Sequence, residues 1–327
     1  MILPPDAPAQ DVLARMLAFA EEAAPMALRM RAAGLDMTNK GPDLGQALTE
    51  ADLAVSRLLH ARFGPDLIEE ETADDLSHAA AAALLARDAW TFVGDPIDGT
   101  RPFAGGLSGW GVMVAACRAG WPRACVMNLP VWAEDRAGPA RIHPAEATRG
   151  LLLAACDGQA FWAPTQGGVR AEALRPLDRP ERRTGHVGWL AVTAQKFTLD
   201  YGRGWFPWSE GGTISDAALL ATGRLDATLS NNRLWDLAPI LPLFEALGFG
   251  LFHWPDLKPP PAAFVDLFDA GLSAHDDLWM VCRNRHQAAD LAKAIHRAEP
   301  EAGSIHGDEA AVPAVPFSPA LVRQDGP

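Results

Sequence analysis

Two aspartates flank Pro96-Ile97 in the run Asp95-Pro96-Ile97-Asp98-Gly99-Thr100. Hard divalent cations take oxygen ligands, and magnesium is usually held by a few carboxylates, with water and substrate phosphate completing the shell. The preceding residues, Trp90 to Val93, are aromatic and β-branched, a composition that predicts a buried strand. Both acids then lie at its C-terminal end, where Pro96 stiffens the turn. Placing two carboxylates there is costly unless a positive charge accompanies them. The same spacing also describes a solvated turn or a helix start, where acids meet the positive end of the helix dipole. Gly99-Thr100 adds a second element. Glycine allows a tight turn, and N–H groups exposed where a helix begins are a ready site for phosphate oxygens. Thr100 is either a proton-transferring hydroxyl beside a metal-bound water or an ordinary helix-start hydroxyl.

Other acids are placed where elements begin or end. Thr49 is suited to cap a helix, with Asp52 in its first turn; Glu69-Glu70-Glu71 follows the apolar step Leu67-Ile68; Asp236 opens a helix. Each alone is equally a dipole-complementing or loop acid. Their order relative to the central run makes a pattern. Asp95 to Thr100 matches the D-P-I-D-G-T signature of the inositol monophosphatase family, part of a lithium-sensitive, magnesium-dependent phosphatase superfamily. Ala47 to Asp52 resembles its V-T-E-A-D element, Glu69 to Thr72 its G-E-E-S, and Trp235 to Pro239 with Glu245-Ala246 its W-D-x-A-A and E-A-G. The resemblance spans residues 14–294, nearly the whole chain.

The resemblance implies a layered αβαβα sandwich of the inositol monophosphatase/fructose bisphosphatase type and two or three magnesium ions. Carried over by position, Glu70, Asp95 and the Ile97 carbonyl bind one ion, while Asp95, Asp98 and Asp236 bind another. Thr100 and Asp52 act on the attacking water, with Glu70 among the catalytic acids, and the amides of Gly99 and Thr100 cradle phosphate. The expected reaction is hydrolysis of a small phosphate monoester, inhibited by lithium, in a homodimer.

The chain also departs from the family. Arg101-Pro102-Phe103 replaces the common T-N-F, and with Asn128-Leu129-Pro130 is closer to a histidinol-phosphatase-like branch. Arg101 is either a phosphate contact or a helix-surface residue. Seven residues before Asp236, where relatives tend to carry a substrate-binding glutamate, stands Leu229; Gly211-Gly212-Thr213 replaces G-G-D, putting Thr213 at a substrate-binding position. A cationic substrate needs an acid when desolvated, so both changes weaken an amine-bearing substrate. Arg233 would suit an extra anionic group, or is a solvated loop arginine. The competing readings are a nucleotide 3'-phosphatase, with Trp205, Phe206 and Trp208 stacking a base, and a non-catalytic relative that binds metal or a phosphorylated metabolite.

The elements that must position these residues are legible from periodicity. The spacing predicts helices over residues 11–33 and from Thr49 to Gly64, a third over 77–87, and hairpins over 110–127 and 151–162. From about Val187 strands and helices alternate: a strand at 189–193, a helix at 214–222, a strand at 225–229, a helix at 236–247, a strand at 278–282 and a helix at 287–296. An α+β lobe over 1–165, an α/β lobe over 166–298 and a mobile tail over 299–327 are expected.

At 327 residues and 49% hydrophobic, the chain suffices for a large core. Its net charge of -13 opposes nucleic-acid and acidic-membrane partners and favours a small phosphorylated metabolite. The four cysteines form no C-x-x-C pair, which fits a reducing compartment, hence the cytoplasm, and argues against structural zinc. No H-x-x-x-H or H-E-x-x-H spacing occurs, and Gly202-Arg203-Gly204 continues into Trp205-Phe206-Pro207, which breaks a dinucleotide fingerprint.

Overall fold

The computed structural model describes residues 4, 6–34, 37–39, 47–132, 148–181, 183–274 and 276–298. The expected tail from residue 299 onward lies outside them. Val12, Met16, Phe19, Ala20, Ala23 and Ala27 recur at helical spacing and are buried along one side of the helix Ala9–Ala33. The helix Glu50–Phe63 lies beside it and buries Ala51, Val55, Leu59 and Phe63. Both pack on one face of an eight-stranded sheet.

In space the strands of this sheet run Arg175–Pro176, Gln159–Gln166, Arg149–Cys156, Trp121–Leu129, Gly111–Arg118, Thr91–Asp98 and Leu67–Glu69, with Val169–Arg170 also paired to Gln159–Gln166. All pairings are antiparallel except that of Leu67–Glu69 with Thr91–Asp98. Alternation divides the central strands cleanly. Val112, Val114 and Ala116 join the cluster under the two N-terminal helices, whereas Met113, Ala115 and Cys117 face the other way. A strand buried on both faces reads as a continuous apolar run, which is what Gly111–Arg118 shows.

The second face carries the helices Thr213–Ala221, Leu234–Leu237 and Leu241–Ala246. Their far side packs on a five-stranded sheet ordered Phe206–Trp208, His186–Gly188, Ala227–Ser230, Trp279–Cys282 and Gly250–His253. Trp279 and Val281 belong to that shared cluster, while Met280 and Cys282 point oppositely toward the helix Arg285–Ala292. Helices, sheet, helices, sheet and helix make the five layers of an αβαβα sandwich. Among the described residues no helix is long and apolar enough to cross a membrane.

Three elements differ from expectation. The strand expected at 189–193 lies earlier, at His186–Gly188, where it pairs in parallel with Phe206–Trp208 and Ala227–Ser230; Ala191–Ala194 is a helical turn. The single helix expected over 236–247 is two, with Pro239 and Pro242 in the region where they break, since proline lacks the donor a continuous helix needs. The last helix ends at Ala292, and Ile295–Arg297 pairs instead with Phe197–Leu199.

Candidate metal centre

Side chains alternate along a strand, so residues three apart should face opposite ways. Asp95 and Asp98 escape this because the pairing of Thr91–Asp98 with Gly111–Arg118 slips between them: Asp95 lies opposite Met113 and Asp98 opposite Gly111. Three steps on one strand match two on the other, which is a bulge. Pro96 sits inside the slip, where no ladder donor is required. Asp236 arrives from the short helix Leu234–Leu237, its Oδ2 accepting the Arg233 N–H at 3.0 Å. One carboxylate oxygen from each of Asp95, Asp98 and Asp236 lies within 4.8 Å of the others.

The electrostatics are those of buried acids crowded against one another. Asp95 is 2% exposed and its Oδ1 has no hydrogen-bond partner. Burial holds its carboxyl well above the usual range, and Glu70, Asp98, Asp236 and Asp52 raise it further. Asp98 is pushed up to about 8 by burial and by Asp236, against the N–H groups of Ile214 and Thr213. The Ile214 N–H donates to Asp98 Oδ2 at 2.6 Å. Asp236 rises to about 6 through burial, restrained by the N–H and the charge of Arg233 and by Asp95. A hard, all-oxygen donor set with one buried oxygen unclaimed fits a magnesium-type cation.

Glu70 opens the 3-10 helix Glu70–Asp75 directly after the strand Leu67–Glu69, and its charge acts on Asp95. Asp52 comes from the helix Glu50–Phe63. Thr49 caps that helix, and its N–H and hydroxyl donate to Asp52 Oδ2 at 2.8 and 2.5 Å. Asp52 Oδ1 accepts the Thr100 hydroxyl at 3.1 Å, and that hydroxyl is also 3.1 Å from the Ile97 carbonyl. Gly99 precedes the helix Thr100–Ala104 with φ +81, and a Cβ there would come within 2.6 Å of the Gly109 carbonyl. Only glycine meets both demands. The structure therefore gathers Asp52, Glu70, Asp95, Asp98, Asp236, Ile97, Gly99 and Thr100 around one turn.

The expected substrate contacts are less uniform. Thr213 is buried at the start of Thr213–Ala221 and its hydroxyl oxygen accepts the Asn232 amide at 2.6 Å. Arg233 is partly exposed, with its guanidinium 5.4 Å from the Trp235 ring centroid. Arg101 is exposed on Thr100–Ala104. Leu229 is buried in an apolar cluster with Val187, Phe197 and Met280.

Three groups near the centre had no signal in the sequence. The Ile214 N–H belongs to the backbone, so its residue type says nothing of it. Glu69 differs from its two glutamate neighbours only by fold. Asp216, 1% exposed, lies close enough to Asp98 and Glu210 for their charges to raise its carboxyl beyond what burial already does, while the Ser209 hydroxyl and Glu210 N–H oppose the rise.

The fold is shared with solved structures. The extragenic suppressor protein SuhB from Bartonella henselae has 18% identity and a TM-score of 0.57, covering 87% of this chain and 98% of that one. A staphylococcal inositol monophosphatase-1, solved as a LiCl-soaked inhibitory complex, has 16% identity and a TM-score of 0.57, with coverages of 87% and 95%. An IMPase/NADP phosphatase complexed with Mg2+ and phosphate has 15% identity and a TM-score of 0.56, with coverages of 86% and 94%. No curated protein matches the chain in sequence. The fold and acidic centre are those of a metal-dependent phosphatase, and a family profile carries the assignment. Residues 10–298 match the profile of the inositol monophosphatase family, and the chain belongs to that family. It is a phosphoric monoester hydrolase acting on a phosphorylated small molecule.

Proposed function

We propose that this enzyme uses magnesium to hydrolyse a small polyol-type phosphate monoester, an inositol phosphate being a better candidate than histidinol phosphate. The observation that carries the magnesium reading is the unclaimed, buried Asp95 Oδ1 amid acids that repel one another. Glu70, Asp95 and the Ile97 carbonyl would hold one ion, and Asp95, Asp98 and Asp236 a second. When bound, such ions make hydroxide accessible near neutral pH and neutralise charge on the leaving oxygen. Thr100, hydrogen-bonded to Asp52, accepts a proton from the attacking water while passing its own toward Asp52. The N–H groups of Gly99 and Thr100, at the start of a helix, orient the phosphate oxygens. Direct in-line attack needs no phosphoenzyme.

The substrate preference rests on Leu229 and Thr213. The position where relatives carry an acid faces an apolar cluster, and Thr213 offers a hydroxyl already oriented by Asn232. An uncharged, hydroxyl-rich leaving group suits such surroundings better than an ammonium group. One observation favours the nucleotide 3'-phosphatase reading: Phe206 and Trp208 are each 50% exposed on the edge strand that leads to the Gly211-Gly212-Thr213 loop. Inhibition by lithium and a homodimeric state follow from the family reading.

The test is phosphate release with magnesium from inositol monophosphates, histidinol phosphate, sugar phosphates and adenosine 3',5'-bisphosphate. Preference for an inositol or sugar phosphate supports the proposal. Preference for histidinol phosphate or the bisphosphate overturns the substrate class, and no release from any overturns the reaction.

A further inference from the structure

The three consecutive glutamates point in different directions. Glu70 acts on Asp95, whereas Glu69 turns into the helix Glu50–Phe63 and is 0% exposed. Its Oε1 accepts the Ser56 hydroxyl at 3.0 Å and lies 3.2 Å from His60 Nε2. Its Oε2 accepts the Glu71 N–H at 2.9 Å, capping the 3-10 helix that begins at Glu70. A buried carboxylate with partners on both oxygens is held rigidly, and so is whatever those partners carry.

The partners belong to two parts of the centre. Asp52, Ser56 and His60 are spaced by four residues and form one stripe on their helix. Asp52, at one end of the stripe, receives the Thr100 hydroxyl, while Ser56 and His60 hold Glu69. Glu69 in turn holds the backbone immediately after Glu70. From this geometry we infer that Glu69 is a positioning residue: by tying the turn that presents Glu70 to the helix that presents Asp52, it sets the spacing between a metal-binding carboxylate and the proton-accepting one. This rests on reading Glu70 as a magnesium ligand. In the G-E-E-S element that the segment resembles, Glu69 occupies the glycine position, so the tie is a feature of this chain's own sequence.

The experiment compares Glu69→Ala, Glu69→Gln and Glu70→Ala for magnesium binding by titration calorimetry, and for the magnesium-induced rise in melting temperature. Removing a group that orients a metal ligand typically weakens the metal about 10- to 100-fold, so Glu69→Ala should weaken magnesium about 10-fold, with kcat at saturating magnesium changed less. Glu69→Gln should stay within about twofold of wild type, because its amide oxygen can accept the Glu71 N–H while its NH2 group donates to Ser56 and His60. Should Glu69→Ala not fold, Ser56→Ala removes one partner and should weaken magnesium by about threefold, a fraction of the loss expected on losing the whole orienting group. Wild-type magnesium affinity in Glu69→Ala, or in Ser56→Ala where that variant stands in, overturns the positioning role while leaving the metal reading intact. An equal loss in Glu69→Gln and Glu69→Ala overturns it too, by assigning the effect to charge. Wild-type affinity in Glu70→Ala overturns the metal reading, and the positioning role with it.

Discussion

Asp52 and Thr100 meet across 48 residues of chain, Oδ1 to hydroxyl at 3.1 Å, while the other Asp52 oxygen is engaged by Thr49. One carboxylate thus closes a helix cap and orients a hydroxyl in the candidate centre. Thr100→Ala should lower kcat by about 10²- to 10⁴-fold, the range of a lost proton-transfer group, while Thr100→Ser keeps most activity. Thr49→Ala separates the two duties: loss of a cap costs about 1 kcal/mol of stability, with a smaller loss of kcat. Steady-state kinetics beside thermal melts would read both.

Asp98 links stability to pH. Its carboxyl is raised from the usual range to about 8 in the folded chain, so between those limits the folded state holds a proton that the unfolded state has released. Unfolding free energy therefore falls as pH rises through that window. In chelator, the melting temperature should drop between about pH 5 and pH 8, and Asp98→Asn should flatten the drop while abolishing turnover. Added magnesium should raise the melting temperature more at pH 8 than at pH 5, because binding displaces protons. A pH-independent magnesium effect would contradict this picture.

Gly99 is constrained twice, by φ +81 and by the Gly109 carbonyl 2.6 Å from where a Cβ would stand. Gly99→Ala should cost about 3 kcal/mol, combining left-handed backbone strain with overpacking. Denaturant melts would measure the loss. Activity at a temperature where the variant remains folded should fall as well, since the turn carries the proposed phosphate-binding amides.

Leu229 offers a test of the substrate reading. Replacing it with glutamate would put a carboxylate among Val187, Phe197 and Met280, a burial costing several kcal/mol. The expected outcome is a destabilised protein with no gain in activity on amine-bearing phosphates. A stable Leu229→Glu that hydrolyses histidinol phosphate efficiently would show that this side chain reaches the substrate.

Much of the candidate centre was legible because its residues come in short runs whose order carries information. Hairpins were legible for a local reason: Ala119-Gly120 and Asp157-Gly158 supply two consecutive positive φ values, which tight turns between twisted strands require. The strand at His186–Gly188 was not, because Trp189 to Thr193 has the stronger β propensity and only parallel pairing with two distant strands decides between them. Glu69, Glu70 and Glu71 could not be told apart by chemistry. Their separation depends on where Leu67–Glu69 ends beside Thr91–Asp98, a long-range fact. Asp216 was silent for the same reason, being one acid in a helix until its neighbours are assembled.

The slip in the central strand also changes what mutagenesis can detect. Pro96 and Ile97 have no partner in the register with Gly111–Arg118, and the pairing with Leu67–Glu69 stops at Gly94. The Ile97 carbonyl accepts the Thr100 hydroxyl at 3.1 Å, while its side chain is 1% exposed in the cluster beneath the two N-terminal helices. A substitution scan would report position 97 as an ordinary core site, tolerant of Val and intolerant of Asp. The oxygen proposed to touch the cation belongs to the main chain and survives every such exchange, so only a backbone change, such as an ester in place of an amide, would bring it to light.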